Sequence, residues 1–426
     1  VWKYSLKYSW RSLVRELARN IWARLLVYPR LAANERSPEA LAAYIGRRTA
    51  KLRMSAQTDG LALPVIGPDA NLMSKHDLRS APARFARPVK PGSLIRSRTR
   101  TSGTSGSPLT FKQSIGCIVR EEAFLYRQLR WMGYRHGQRR AWIRGEMVCP
   151  PFPADGVYWC RDYVGKMLMM SSYHMTSATI PRYVAALEEF DPAVIHAYPS
   201  SIAALALWMK ANGRRYRGRE LLGVMTSSET LDEATREAVL QAFGVRVFDW
   251  YGQAERVAAI GTCEHGNYHV LTDYSLVELM TVDGELEIVG TSLNNRAVAL
   301  ARYRTGDTVQ PAEGRCPCGR LFPLVKSITG RRKNAIRLPD GRQISLFDHI
   351  FRYAEKVMES QVVYRGGGEF VLKVVPAAPL HEADKEDLLQ RFLRCVPGVR
   401  VSVEVVEMIA RGPNGKFQFV ANLSVE

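Results

Sequence analysis

Residues 193–213 read AVIHAYPSSIAALALWMKANG, an apolar strand pattern over Ala193–Ala197 followed by a helix over Ser200–Asn212 closed by Gly213. Working outward, Leu221–Thr226 is a second strand. Thr230 and Glu233 form a capping-box pattern that opens a helix running to about Phe243, and Gly244 ends it before strand character returns at Val245–Trp250. This alternation predicts an α/β sheet. Farther on, Tyr274–Met280 and Glu285–Val289 flank Asp283-Gly284, a two-residue hairpin signal, so an antiparallel layer should begin there. From about Arg331 the pattern gives a helix over Leu346–Met358 and strands over Gln361–Tyr364 and Phe370–Val375. A helix over Asp384–Arg394 and a strand over Val399–Glu407 complete a small α+β domain. The expected fold class is therefore α/β: a large N-terminal domain over 1–330, with mixed α/β sheets plus the antiparallel layer, and a small mobile α+β domain over 331–426.

With 426 residues and 46% hydrophobic content the chain can bury a large core. Its 60 Lys+Arg against 41 Asp+Glu leave a charge of +19, enough to attract nucleic acid, acidic lipid or polyphosphate without choosing among them. Arg96, Arg98 and Arg100, and Arg214, Arg215, Arg217 and Arg219, lack the aromatic interleaving of single-strand grooves, so no specific nucleic-acid partner is expected. No apolar run is long enough for a transmembrane segment and no signal peptide is evident, which predicts a cytoplasmic protein. Trp2–Leu31 reads as a basic amphipathic helical stretch. It can lie on a membrane, but packing of its apolar face against the protein is the expected arrangement. Seven cysteines, an odd number in a long chain, point to reduced thiols or metal ligands instead of structural disulfides.

Between two strand patterns lies Thr101-Ser102-Gly103-Thr104-Ser105-Gly106-Ser107-Pro108. Hydroxyls, glycines and backbone N–H groups at this density can wrap the β- and γ-phosphates of a nucleotide. The Gly-Lys-Ser/Thr ending of a Walker loop is missing. A flexible hairpin turn is the alternative for this loop taken alone.

The loop resembles the phosphate-binding signature of the acyl-adenylate-forming enzymes, and further matches follow in order. Tyr198-Pro199-Ser200, Thr226-Ser227-Ser228-Glu229 and Asp249-Trp250-Tyr251-Gly252-Gln253-Ala254-Glu255 are similar to the phenylacetate–CoA ligase and capsule-protein-like branch. Tyr303-Arg304-Thr305-Gly306-Asp307 resembles the ribose-binding motif, Gly330-Arg331 the hinge, and Asn414-Gly415-Lys416 the motif of the terminal catalytic lysine. The resemblance covers roughly residues 90 to 420, and it implies ATP-dependent conversion of a carboxylic acid, with aryl acids the first class to consider, into its acyl-AMP. CoA is the implied acceptor, and any carrier protein must be a separate chain. By the same resemblance Lys416 would reach the acyl carboxylate and α-phosphate, and Glu255 would hold Mg²⁺. Asp307 would take the ribose hydroxyls with Arg331 alongside, while Thr101–Gly106, Ser228, Glu229, Asp249, Tyr251, Gly252 and Gln253 would frame the nucleotide. Two departures stand out: Ser107 replaces a lysine common among relatives, and Lys333-Asn334 replaces paired acidic hinge residues.

Cys316-Pro317-Cys318 is a tight thiolate pair, and Cys263 and His269 lie upstream. Three sulfurs and one imidazole suit a structural, tetrahedral Zn²⁺, with His265 as the alternative nitrogen ligand. Trp131, Tyr134, Trp142 and Tyr158 can line an aryl-acid pocket, although core packing is the commoner fate of such residues. Competing functions are an amide- or ester-forming ligase of natural-product or polysaccharide assembly, adenylylation of a hydroxyl, and a basic nucleic-acid or membrane-surface binding protein that has lost its chemistry.

Overall fold

The computed structural model describes residues 2–58, 72–80, 85, 96–100, 110–151, 153–282, 284–295, 297–298, 300–331, 336–340, 342–344, 356–412 and 415–423. The chain packs as two compact units, one of residues 1–10, 136–247 and 332–426, the other of residues 11–135 and 248–331.

The first unit contains β3 (Arg140–Arg144), β4 (Trp159–Asp162), β5 (Met167–Ser171), β6 (Val194–Ala197) and β7 (Gly223–Ser227), in the spatial order β7-β6-β3-β5-β4. β7, β6, β3 and β5 are parallel and β4 is antiparallel to β5. Parallel strands need crossover connections, and the helices Ile180–Phe190 and Pro199–Ala211 supply two of them. Pro199 fits the first turn of its helix, where its missing N–H costs nothing. The helix Glu233–Phe243 follows β7. Its cap is Asp232, whose carboxylate accepts the Thr235 N–H at 2.7 Å, in place of the expected Thr230. Gly244, at φ 71°, closes it as expected, because a left-handed residue there costs least as glycine.

The C-terminal part of this unit opens with the short antiparallel pair β15 (Ile336–Arg337) and β16 (Gln343–Ile344) and has its own four-stranded sheet, in the order β19-β18-β17-β20, built from β17 (Val357–Gly366), β18 (Glu369–Pro376), β19 (Arg400–Val405) and β20 (Val420–Asn422). The helix Glu382–Cys395 buries Leu388 and Phe392 with Phe370 and Leu372 in a core of its own. The expected helix Leu346–Met358 lies outside the described residues apart from its last three, and of these Val357 and Met358 begin β17. Met358, Val375, Ala377 and Ile409 join the core formed by the helices Pro199–Ala211 and Glu233–Phe243.

The second unit is built on an antiparallel sheet, β11-β12-β13-β14-β10-β9-β8: β8 (Val247–Gly252, beginning at the boundary), β9 (Ala259–Thr262), β10 (Tyr268–Val270), β11 (Ser275–Val282), β12 (Glu285–Ser292), β13 (Tyr303–Pro311) and β14 (Leu324–Arg331). Val282 pairs with Glu285, so the two-residue hairpin forms where it was expected. The helix Ile115–Trp131, capped by Ser114, lends Arg127, which is paired in the interior with Asp273 at 2.7 and 3.0 Å. Asn34 donates to the same carboxylate at 3.0 Å, so the buried charge is paired and hydrogen-bonded. The short strands β1 (Arg96–Arg100) and β2 (Thr110–Ser114) pair antiparallel with Arg100 opposite Thr110. The glycine- and hydroxyl-rich loop between them lies outside the described residues, as do Lys333-Asn334.

Candidate functional site

Ligands of open parallel sheets gather at the carboxyl ends of the strands. In the first unit those ends carry Arg144 (β3), Ser171 and Ser172 (β5), Tyr198 (β6), and Ser228 and Glu229 (β7). The Arg144 guanidinium lies over the rings of Trp142 and Tyr198, 5.0 and 4.8 Å from their centroids. It donates to Ser228 Oγ at 2.6 Å, and its Nη1 is 3.4 Å from His196 Nε2. Arginine has no acceptor, so His196 receives through Nε2 and carries its proton on Nδ1. Burial first, then the charges of Arg144 and Arg140, hold the His196 pKa well below 6.5, so the ring is neutral. Ser228 is held at φ 75°, a strained backbone for a side chain with a Cβ.

The lysine motif meets this edge. Its turn is closed by hydrogen bonds from Gly415 N to Gly412 O, 2.8 Å, and from Gly412 N to Lys416 O, 3.0 Å. Gly415, at φ 66°, is in backbone contact with Gly145. A Cβ on Gly415 would stand 2.2 Å from Gly145 Cα and 3.0 Å from Ser172 Oγ. Glu229 fixes the far side: one carboxylate oxygen accepts the Phe417 N–H at 2.7 Å, the other the Ser200 N–H at 3.0 Å. Arg411 lies over the Phe417 ring, 4.8 Å from its centroid, and pairs in the interior with Glu359. Lys416 therefore belongs to a turn braced on three sides. Glu229, expected to frame the nucleotide, has both oxygens engaged by backbone N–H groups.

In the second unit, Tyr251 donates its hydroxyl to Asp307 Oδ2 at 2.8 Å, and Gln253 Nε2 donates in turn to the Tyr251 oxygen. Burial, with Asp307 second, raises the Tyr251 pKa well above 10 and keeps the phenol a donor. Asp307 and Arg331 are directly opposed across β13 and β14. Glu255 is buried, and Tyr303 donates to its Oε1 at 3.3 Å. Asp249, also expected at the nucleotide, is a buried residue that accepts the Tyr268 hydroxyl at 2.9 Å. Gly252 ends β8 beside this group.

Cys263, His269, Cys316 and Cys318 converge, all buried, with their ligand atoms within 4.8 Å of one another. Cys263 and Cys316 sulfurs are 3.5 Å apart, and Cys318 Sγ is 3.5 Å from His269 Nε2. His269 Nδ1 faces Phe322 O at 3.4 Å, the partner that leaves Nε2 free to ligate. The imidazole of this cluster is that of His269. His265 is exposed and gives the Cys263 sulfur only its backbone N–H, at 3.4 Å.

Of the four aromatics considered for an aryl pocket, Trp131 and Tyr134 are core residues, and Tyr158 stacks on His174 and Tyr183. Trp142 touches site residues, its ring 4.5 Å from that of His196. Sequence reasoning assigned no role to Arg144, His196 or Ser172. The signal was available for Arg144 alone, as the last residue of a short apolar-centred strand, Arg140–Arg144.

The arrangement of these sheets matches that of solved CoA ligases of the adenylate-forming fold. The structure superposes on 2-hydroxyisobutyryl-CoA ligase in the postadenylation state with 2-HIB-AMP at a TM-score of 0.63 and 18% identity, covering 91% of each chain. With the same ligase bound to 2-HIB-AMP and CoA in its thioesterification state the TM-score is 0.53 at 19% identity, over 91% of each chain. Within that class the chain is a homologue of protein CapK of Staphylococcus aureus, 22% identical over 76% of this chain and 73% of CapK. It is also a homologue of phenylacetate-coenzyme A ligase of Thermus thermophilus, 26% identical over 59% of this chain and 57% of that protein. Residues 337–423 match the CapK C-terminal domain.

Proposed function

We propose that this protein uses ATP to convert a carboxylic acid into its acyl-adenylate and then passes the acyl group to the thiol of CoA. The observation that supports this most is the lysine turn Gly412–Lys416, braced by Gly145, Ser172 and Glu229 at the carboxyl ends of parallel strands. A carboxylate oxygen attacks the α-phosphorus, the bond from that phosphorus to the bridging oxygen breaks, and pyrophosphate leaves. The thiol sulfur then attacks the acyl carbon, AMP departs with the carbon–oxygen bond electrons, and the thiol proton passes to solvent.

Charge accumulates on the phosphoryl oxygens in the first step, and a fixed cation stabilises it most effectively. Lys416 is the residue assigned that role. Arg144, a second cation at the same edge, would orient the acid carboxylate. Asp307, opposite Arg331, would accept the ribose hydroxyls, its orientation fixed by Tyr251 and Gln253. The glycine- and hydroxyl-rich loop Thr101–Gly106 would hold the phosphates. Glu255, an oxygen ligand suited to a hard cation, would hold Mg²⁺, which when bound neutralises phosphate charge. Residues 1–330 would form the adenylating domain and 331–426 the mobile module carrying Lys416. Zn²⁺ held by Cys263, His269, Cys316 and Cys318 would have all four positions filled by protein, leaving it structural. Among the described residues no helix is long and apolar enough to cross a membrane. ATP, CoA and reduced thiols together fit a cytoplasmic location.

The test is acid-dependent ATP–pyrophosphate exchange over a panel of aryl and alkyl acids, with aryl acids first, for the parent protein and Lys416→Ala. Exchange with one acid class that is lost in the variant supports adenylation and names the substrate class. No exchange with any acid by folded protein would overturn it. Mass analysis with CoA present then identifies the acceptor: an acyl-AMP that never becomes a thioester would point to an amine or hydroxyl instead.

A further inference from the structure

The helix Trp2–Arg15 turns toward the protein the face that an amphipathic helix ordinarily gives to water. Ser5 Oγ accepts the Arg161 N–H at 3.2 Å, Ser9 Oγ accepts the Tyr163 N–H at 2.9 Å, and Tyr8 donates its hydroxyl to Met147 O at 3.2 Å. Ser5 and Tyr8 are buried, while Trp2 is 64% exposed, Leu6 52%, Trp10 66% and Leu13 38%. At 100° per residue these four positions fall within an arc of about 80°, a continuous apolar stripe. Over Trp2–Leu13 this reverses the expected packing, whereas Ala23 and Leu31 farther along the segment are buried as expected. Lys3, Lys7 and Arg11, all exposed, follow one another along the flank of that stripe. Residues 2–34 hold seven basic side chains against the single acid Glu16. The next turns expose Leu17, Trp22, Leu25 and Leu26 as well.

We propose that this helix lies in the plane of an anionic lipid surface, with Trp2, Leu6, Trp10 and Leu13 in the boundary between headgroups and acyl chains and Lys3, Lys7 and Arg11 at the lipid phosphates. Tryptophan is suited to that boundary by its large apolar ring with a polar N–H. Charge complementarity selects the lipid over a second copy of the chain. Two copies meeting through this face would bring their basic rows together, whereas an anionic leaflet neutralises them. The chain's net charge of +19 adds long-range attraction in the same direction. The binding is peripheral, and it is independent of the adenylation chemistry.

The experiment is flotation of the full chain with vesicles of phosphatidylcholine alone, and of phosphatidylcholine containing roughly 30% phosphatidylglycerol, at low and high salt. The parent protein should float with the anionic vesicles and do so less at high salt. Leu6→Ser with Trp10→Ser, and separately Lys3→Gln with Lys7→Gln, should each weaken binding by about tenfold or more. Thermal unfolding should stay unchanged in both, because every altered side chain is exposed. Absence of binding to anionic vesicles would overturn the proposal, and so would binding that the Leu6/Trp10 variant retains in full, since general basic charge then suffices. A dimer in sedimentation that the Leu6/Trp10 variant dissolves would give the face to a second copy instead.

Discussion

Glu229 holds the backbone N–H of Phe417 at 2.7 Å, so a carboxylate after β7 fixes the residue that follows the motif lysine, 188 positions farther along the chain. Its second oxygen holds the Ser200 N–H at the start of the helix Pro199–Ala211, whose dipole favours the negative charge. Hydrogen bonds to charged groups are worth about 1.5–3 kcal/mol. Glu229→Gln leaves one acceptor and turns an NH₂ toward a second N–H. Pyrophosphate exchange should fall by roughly 10- to 100-fold in kcat, with a smaller change in KM for ATP, if the residue positions Lys416. An equal loss in KM for ATP with kcat preserved would return Glu229 to the nucleotide.

Gly415→Ala tests the contact on the other side of the turn. Its Cβ would meet Gly145 Cα at 2.2 Å, a backbone atom that cannot swing away, and φ 66° strains any L side chain there by about 1–2 kcal/mol. The turn must lift from the strand edge. We expect adenylation to fall by tenfold or more while the melting temperature changes by only a few degrees, since the turn contributes little to either core. An alanine variant with full exchange activity would show that the braced arrangement is dispensable for the first step.

The legible parts of the sequence are those where local and global signals agree. β6 and β7 are buried apolar runs, Gly244 ends the helix Glu233–Phe243, and Val282 and Glu285 close the hairpin between β11 and β12 where the sequence placed it. Thr230 misled because Asp232, two residues on, offers a stronger cap acceptor. β3 escaped notice because Arg140 and Arg144 bracket its Ala-Trp-Ile centre and hide a strand whose buried positions are Ala141 and Ile143. No sequence pattern announces that Glu229 will take backbone N–H groups from two distant segments, since backbone donors carry no residue identity. The choice of His269 over His265 also required the fold: the pairing of β10 with β9 and β14 buries His269 and leaves His265 in the turn.

Metal analysis of the purified protein should find one zinc per chain. Cys318→Ser should lose it and lower the melting temperature by roughly 5–10 °C, because a closed site contributes directly to folding free energy. His265→Ala should retain it. Loss of zinc in His265→Ala with retention in His269→Ala would reverse the ligand assignment.

Neutral His196 makes a pH prediction whose sign follows from linkage. Its folded pKa is depressed by burial and by Arg144 and Arg140, so below the ordinary value of 6.5 the unfolded chain takes up a proton that the folded chain refuses. Its contribution to stability is therefore complete above pH 6.5 and declines as pH falls below it, by at most about 1.4 kcal/mol per pH unit. His196→Asn keeps an acceptor for Arg144 without the titration. Between pH 8 and pH 5.5 the urea midpoint of the parent should fall more than that of the variant. Equal declines would mean that the ring is protonated in the folded state, which the facing guanidinium of Arg144 opposes electrostatically.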